Sequence, residues 1–205
     1  MQNIPNLFFS GSSKSGTSWL YRCFKEHPDI YVPEKDALHY FSINYHRGET
    51  WYQQWFADAK DEIVICDPTP SYMRDMNSAE RIYALNPEAK LLFTLRNPIE
   101  RSFSHYWHHK RKGRVRAEFR EIIDYNNVGH FDLYELWIKS SLYAEQLKPF
   151  FKMFNREQIM VKLYDDLQAD PETFLQDIFV FLGVDTSFIP SLINKRVNSG
   201  SHISK

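Results

Sequence analysis

The residues that could do chemistry begin at the first glycine. Leu7-Phe8-Phe9-Ser10 runs into Gly11-Ser12-Ser13-Lys14-Ser15-Gly16-Thr17-Ser18, and Trp19-Leu20-Tyr21 follows. That order reads as strand, glycine-bounded loop, helix. Two glycines five residues apart let successive backbone N–H groups converge on an anion, and the helix start adds favourable potential. Lys14 supplies a full charge from inside the loop. The chemistry implied is the holding of a phosphate group.

The loop nearly matches the nucleotide triphosphatase pattern GxxxxGK[ST] and departs at its lysine. Thr17 follows the second glycine, and the lysine sits two residues before that glycine. A triphosphatase needs its lysine on the β- and γ-phosphates and a hydroxyl on Mg²⁺. Lys14 meets a ligand from another direction, which argues against that class. A second anion contact is written farther along, where Leu91-Leu92-Phe93-Thr94-Leu95 ends in Arg96 and Ser104 follows eight residues later. Arginine offers a planar fork for two phosphate oxygens and serine adds a donor.

These residues need a scaffold. Short apolar runs at 7–9, 63–66, 91–95 and 159–163 read as buried parallel strands, with 30–32 as a fifth. Helical patterns lie between them, at 17–26, 78–85 and 98–112. One long helix is expected from about Asp132 to Phe154, with a kink at Pro149 near its end, because apolar residues recur there at spacings of three and four. A last helix opens at Asp170-Pro171 and closes at Gly183. The polar stretch 115–129 reads as an excursion. Alternating strands and helices predict an α/β fold, a single domain over residues 1–205 with a central parallel sheet flanked by helices. In such folds ligands bind beyond the carboxyl ends of the strands.

Composition sets outer bounds. Hydrophobic residues make up 43% of the 205, enough for a real core. The net charge of −1 gives no global field for nucleic acid or an anionic membrane. Positive charge is local, in Lys110, Arg111, Lys112, Arg114 and Arg116, and reads as a solvated helix end. Cys23 and Cys66 belong to no metal-ligand pattern, so no metal is expected and a reducing, cytoplasmic setting is. No window reaches the length of a membrane span.

Lys14-Ser15-Gly16-Thr17-Ser18-Trp19-Leu20 resembles the 5′-phosphosulfate loop of sulfotransferases that use 3′-phosphoadenosine 5′-phosphosulfate (PAPS). The resemblance implies sulfuryl transfer to a hydroxyl, without metal, leaving 3′-phosphoadenosine 5′-phosphate (PAP). It implies that Ser13, Ser15, Gly16, Thr17 and Ser18 cradle the 5′-phosphate, that Lys14 meets the bridging oxygen, and that Trp19 flanks the adenine. Arg96 and Ser104 match the family's 3′-phosphate pair. Tyr164, in Leu163-Tyr164-Asp165-Asp166-Leu167, matches a tyrosine near the adenine, and Lys195 with Arg196 matches a late basic loop over the 3′-phosphate. The chain ends early for this family, so part of that lid is expected in a tail beyond Lys205.

The acceptor half departs from the pattern. In the carbohydrate branch the base is a glutamate in a Lys-Glu-x-His-Tyr-Phe-like segment. Here Pro33-Glu34-Lys35-Asp36-Ala37-Leu38-His39-Tyr40-Phe41 puts Ala37 or Asp36 at that place. Asp36 is the first candidate for the catalytic base because it follows a lysine, His39 the second and Glu34 the third. Asp67-Pro68-Thr69-Pro70-Ser71-Tyr72 resembles the family's Glu-x-Thr-Pro-Ser-Tyr turn beside the acceptor, and leaves Asp67 as an acceptor-side carboxylate. The acceptor class implied is a glycan or other small hydroxyl compound. The alternatives are a kinase of a small metabolite and a non-catalytic nucleotide-binding module of the same fold. The family's dimerisation pattern near the C-terminus is not found, which leaves the oligomeric state open.

Overall fold

The computed structural model describes residues 3–124 and 128–195. Its elements are β1 (Leu7–Phe9), α1 (Thr17–Glu26), β2 (Ile30–Tyr31), α2 (Glu49–Gln53), β3 (Val64–Asp67), α3 (Ser78–Leu85), β4 (Lys90–Leu95), α4 (Pro98–Arg111), α5 (Phe119–Ile123), α6 (Phe131–Trp137), α7 (Tyr143–Met153), β5 (Ile159–Leu163), α8 (Tyr164–Ala169) and α9 (Pro171–Leu182). The strands form one five-stranded sheet in the order β2-β3-β1-β4-β5, and every pairing is parallel. The α/β architecture expected from the sequence is the one observed.

Period-two alternation explains why helices cover both faces. Leu7 and Phe9 pack with Leu20, Phe24, Phe174 and Ile178 on the face under α1 and α9. Phe8, between them, packs with Phe41, Tyr72, Leu91, Phe93 and Phe150 on the face under α3 and α7. Both sides of the central strand are therefore dry, and burying one such phenylalanine contributes roughly 1.5–3 kcal/mol. After β1 the chain lays β2 and β3 on one side of that strand and β4 and β5 on the other. The crevice at this switch point lies beyond the carboxyl ends of β1, β3 and β4.

Capping chemistry sets the helix ends. Asn97 Oδ1 accepts from the amides of Ile99 and Glu100, and Pro98 occupies the first turn of α4. Asp170 does the same for α9 before Pro171, and Gly183 closes that helix in the left-handed region at φ 78°.

The single helix expected over 132–154 is broken. α6 ends at Trp137, a 3-10 turn spans Lys139–Ser141, and α7 starts at Tyr143. The cause is local competition for carbonyls. Ser140 Oγ donates to Leu136 O, Ser141 Oγ donates to Trp137 O, and the Arg101 guanidinium also takes Trp137 O. Pro149 lies inside α7, which runs on to Met153. β3 starts one residue later than the apolar run, because Ile63 is solvent-exposed, and Val32 falls outside β2. The polar excursion at 115–129 carries α5, held by a reciprocal Glu118–Glu121 capping box and anchored by buried Ile122 against Tyr106 and Trp137.

Candidate active site

The glycine-bounded loop sits at the switch point, tied to β4 and to the turn that follows β3. Ser12 N–H donates to Thr94 O, Thr94 N–H donates to Gly11 O, and Met73 N–H donates to Ser10 O. Gly11 takes φ 129°, and a Cβ there would lie 2.8 Å from Pro70 O, so the chain passes too close to the β3 turn for a side chain. Gly16 caps α1 in the left-handed region at φ 85° with no side-chain cap, which leaves the first-turn amides facing the crevice.

Lys14 is also left-handed, at φ 75°, an uncommon state for a residue with a side chain. Burial lowers its pKa, and so do the cations Arg111, Lys112, Arg96 and Arg101 around it. These positive groups act together on Lys14, the charge pattern an anionic ligand would complete. The residues present therefore fit an anionic ligand.

The other sequence candidates fall into place with differing closeness. Ser13 is half-buried, and its carbonyl accepts from Arg101 Nε at 3.3 Å. Ser15 is fully buried and its hydroxyl pairs with Ser12 Oγ at 2.7 Å, so it braces the loop from within. Thr17 is half-buried and Ser18 exposed on the first turn of α1. Arg96, at the end of β4, lies 4.7 Å over the Tyr164 ring and donates to Glu100 Oε2 at 3.0 and 3.1 Å. Tyr164 in turn borders Gly16, where an added Cβ would stand 3.4 Å from its ring. Loop, Arg96 and Tyr164 thus form one contiguous wall, with Ser104 half-buried along α4. Trp19 is buried against Phe174, and its Nε1 donates to Leu192 O at 3.2 Å. Lys195 is exposed, with its amide on Leu192 O, and Arg196 lies outside the described residues.

Among the base candidates, His39 is half-buried at φ 55° with Nδ1 2.7 Å from Ser71 Oγ. Burial lowers its pKa, as do Lys35 and Arg74, while Asp36 opposes them. Asp36 itself is exposed on the bend before His39. Glu34 is exposed too, and its carboxylate is held by Lys25 at 2.8 Å. A cleft lined by Ser12, Ser13, Pro70, Arg74, Arg101 and Gln146 joins the loop to the turn that carries Ser71. Of the three base candidates, His39 is thus the one tied to that turn.

Two features were not singled out from the sequence. One is Arg101, buried beneath the loop. The other is the way Tyr52, Thr69 and Tyr72 all donate to buried Asp67. The available signal for Arg101 was its place among Ser102, His105 and Tyr106 on the inward face of α4. Among the described residues no group of His, Cys, Asp and Glu is arranged to hold a metal ion, and no helix is long and apolar enough to cross a membrane.

Comparison with known proteins agrees with this geometry. The family model described as "Sulfotransferase domain" matches residues 5–201. A solved sulfotransferase from Alicyclobacillus acidocaldarius superposes with a TM-score of 0.85 at 34% identity, covering 94% of this chain and 86% of that one. A mouse sulfotransferase, SULT7A1, solved in complex with PAP, shares the fold at a TM-score of 0.52 and 15% identity, covering 94% of this chain and 62% of that one. Heparan sulfate glucosamine 3-O-sulfotransferase 6 of Homo sapiens is 27% identical over 89% of this chain and 53% of its own length. The chain spans about half the length of that curated relative. With the fold, the loop and these likenesses in agreement, the chain belongs to the sulfotransferase domain family.

Proposed function

We propose that this chain transfers the sulfuryl group of PAPS to a hydroxyl of a carbohydrate acceptor and releases PAP. The observation that carries the reading is Lys14, which sits inside the loop among Arg96, Arg101, Arg111 and Lys112 rather than at a triphosphatase position. Sulfuryl transfer needs positioning and charge stabilisation more than covalent help from the protein. Amides of the loop and of the first turn of α1 hold the 5′-phosphate, and Arg96 with Ser104 reads the 3′-phosphate. Lys14 meets the oxygen that leaves sulfur. Its lowered pKa makes it a readier proton donor to that oxygen.

His39 takes the proton of the attacking hydroxyl, with Ser71 orienting its ring from Nδ1. A glycan acceptor is supported by the named activity of the heparan sulfate relatives. A reducing, cytoplasmic setting belongs to the same reading, and both cysteines are buried free thiols.

Calorimetry and radiolabelled transfer test the proposal together. PAP should bind without Mg²⁺ at least about tenfold more tightly than ADP, the loss expected when a phosphate contact is removed. Lys14→Ala should abolish sulfate transfer to a sugar panel and keep part of the PAP affinity. Equal affinity for ATP, or transfer that requires Mg²⁺, overturns the reading.

A further inference from the structure

Arg101 is 1% exposed, yet no carboxylate is among its partners in the described residues. Its Nε donates to Ser13 O at 3.3 Å. Nη1 donates to Trp137 O at 2.9 Å, Ser140 Oγ at 2.5 Å and Ser141 Oγ at 3.0 Å, and Nη2 donates to His105 Nδ1 at 3.0 Å. Burial lowers its own pKa to about 10, and burial together with its charge takes His105 down to about 2. The imidazole beside it is therefore a neutral acceptor. A buried cation seated on neutral groups is a poor device for stability, since apolar residues of similar volume serve there as well or better.

Its hydrogen bonds point to another use. In a trans peptide the C=O and N–H point in opposite directions. The guanidinium holds the Ser13 carbonyl inward, so the Lys14 N–H of the same peptide faces outward, toward the crevice. Lys14 occupies the left-handed region at φ 75°, which side chains adopt only when their surroundings hold them there. The break between α6 and α7 supplies those surroundings. Its serines and the Trp137 carbonyl seat Arg101, and Tyr143 OH, just after it, donates to Arg96 O at 2.9 Å. One junction thus braces both the loop and the 3′-phosphate arginine.

We propose that Arg101 is a positioning residue for sulfuryl transfer, fixing from inside the fold the Ser13–Lys14 peptide that aims Lys14 at the leaving oxygen. This rests on the donor reading given above. Arg101 touches no reacting atom and acts through Lys14.

The test is Arg101→Lys and Arg101→Gln, with kcat and the KM for PAPS measured by sulfate transfer. PAP affinity and stoichiometry come from calorimetry, and folding from thermal melts. Arg101→Lys keeps the charge and loses the fork, so kcat per PAP-binding molecule should fall at least about tenfold while PAP affinity stays within about threefold, as expected for a small misplacement of a reacting group. Arg101→Gln should fall further. A purely structural arginine predicts a lower melting temperature and a lower binding stoichiometry, with unchanged kcat per bound site, and that result overturns the proposal. Should neither variant fold, the double variant Ser140→Ala with Ser141→Ala decides. It loosens the guanidinium without removing it, so kcat should drop about two- to threefold, and an unchanged kcat overturns the proposal. Wild-type protein that fails to bind PAP at all would sink the donor reading itself, whatever Arg101 does.

Discussion

The Tyr72 hydroxyl donates to Asp67 Oδ2 at 2.8 Å while accepting from the Tyr40 amide at 3.0 Å. Thr69 repeats the arrangement, donating to Asp67 Oδ1 at 2.5 Å and accepting from the Leu38 amide at 3.1 Å. One buried carboxylate therefore decides which way two hydroxyls point, and those hydroxyls hold the amides on either side of His39. Tyr52 OH adds a third donor at 2.7 Å. The end of β3 is wired in this way to the acceptor segment 31–32 residues earlier in the chain.

A pH signature follows from the same group. Burial raises Asp67 from 3.8 to about 6 even though three hydroxyls favour its charged form. The folded chain thus binds this proton more tightly than the unfolded chain. The contribution of Asp67 to stability is greatest below its unfolded value and is lost as pH rises to about 6. The stability of the wild type relative to Asp67→Asn should fall by roughly 2 kcal/mol between pH 4 and 7. Denaturant unfolding at a series of pH values measures it, and a difference that stays flat with pH refutes it.

Tyr72→Phe should separate the acceptor half from the donor half. It leaves the buried Tyr40 amide without its partner and takes one of two donors from Asp67 Oδ2, which keeps Tyr52, a loss of about 1–3 kcal/mol of stability. The His39 segment loosens, while the loop around Lys14 keeps its ties to Thr94. The expected result is a fall in kcat/KM for the acceptor with PAP affinity unchanged, read by steady-state transfer and calorimetry. An equal loss in both would mean that Tyr72 only stabilises the fold.

The glycine-bounded loop and the helix starts were legible because their signals are local. Glycines bound the loop, Lys14 sits in a fixed register, and Asn97-Pro98 and Asp170-Pro171 mark helix starts where the structure has them. What escaped was long-range. The helix expected through 132–154 breaks where Ser140 and Ser141 take the Leu136 and Trp137 carbonyls and Arg101, 36 residues from Trp137, joins them. Periodicity carries no trace of a hydrogen bond to a distant side chain. Asp67 was visible as an acceptor-side carboxylate, but the tyrosines that enclose it arrive from two other segments. Asp36 led the base candidates on its place after a lysine, and only three-dimensional placement links His39 to Ser71.

The second glycine of the loop offers a test of geometry. A Cβ on Gly16, at φ 85°, would stand 2.7 Å from Leu167 Cδ2 and 3.4 Å from the Tyr164 ring. Gly16→Ala should lose about 1–3 kcal/mol of stability and weaken PAP binding by about tenfold, because a left-handed alanine is strained and Leu167 and Tyr164 must give way beside it. Gly48 is the control: it takes φ 79° with nothing within 4 Å of an added Cβ. Gly48→Ala should show backbone strain of about 1–3 kcal/mol, since φ 79° with ψ 163° is open essentially to glycine alone, and leave PAP affinity unchanged. Equal effects of the two on PAP affinity would deny Gly16 its role at the cradle.

The identity of the base can be read from the acid limb of the pH–rate profile. Burial lowers the pKa of His39 below 6.5, with Lys35 and Arg74 pushing the same way and Asp36 pushing back. A lowered histidine is neutral at pH 7 and ready to accept a proton. With His39 as base, kcat/KM rises with pH through a midpoint below 6.5. Arg74→Ala removes a cation that holds the value down, so the midpoint should move up. Asp36→Asn removes the opposing carboxylate, so the midpoint should move down while the plateau rate survives. His39→Gln should lower kcat by about a hundredfold or more, the typical contribution of a positioned base. If Asp36→Asn abolishes the plateau and His39→Gln leaves it, the proton goes to Asp36. His39 would then be a ring held by Ser71 for packing.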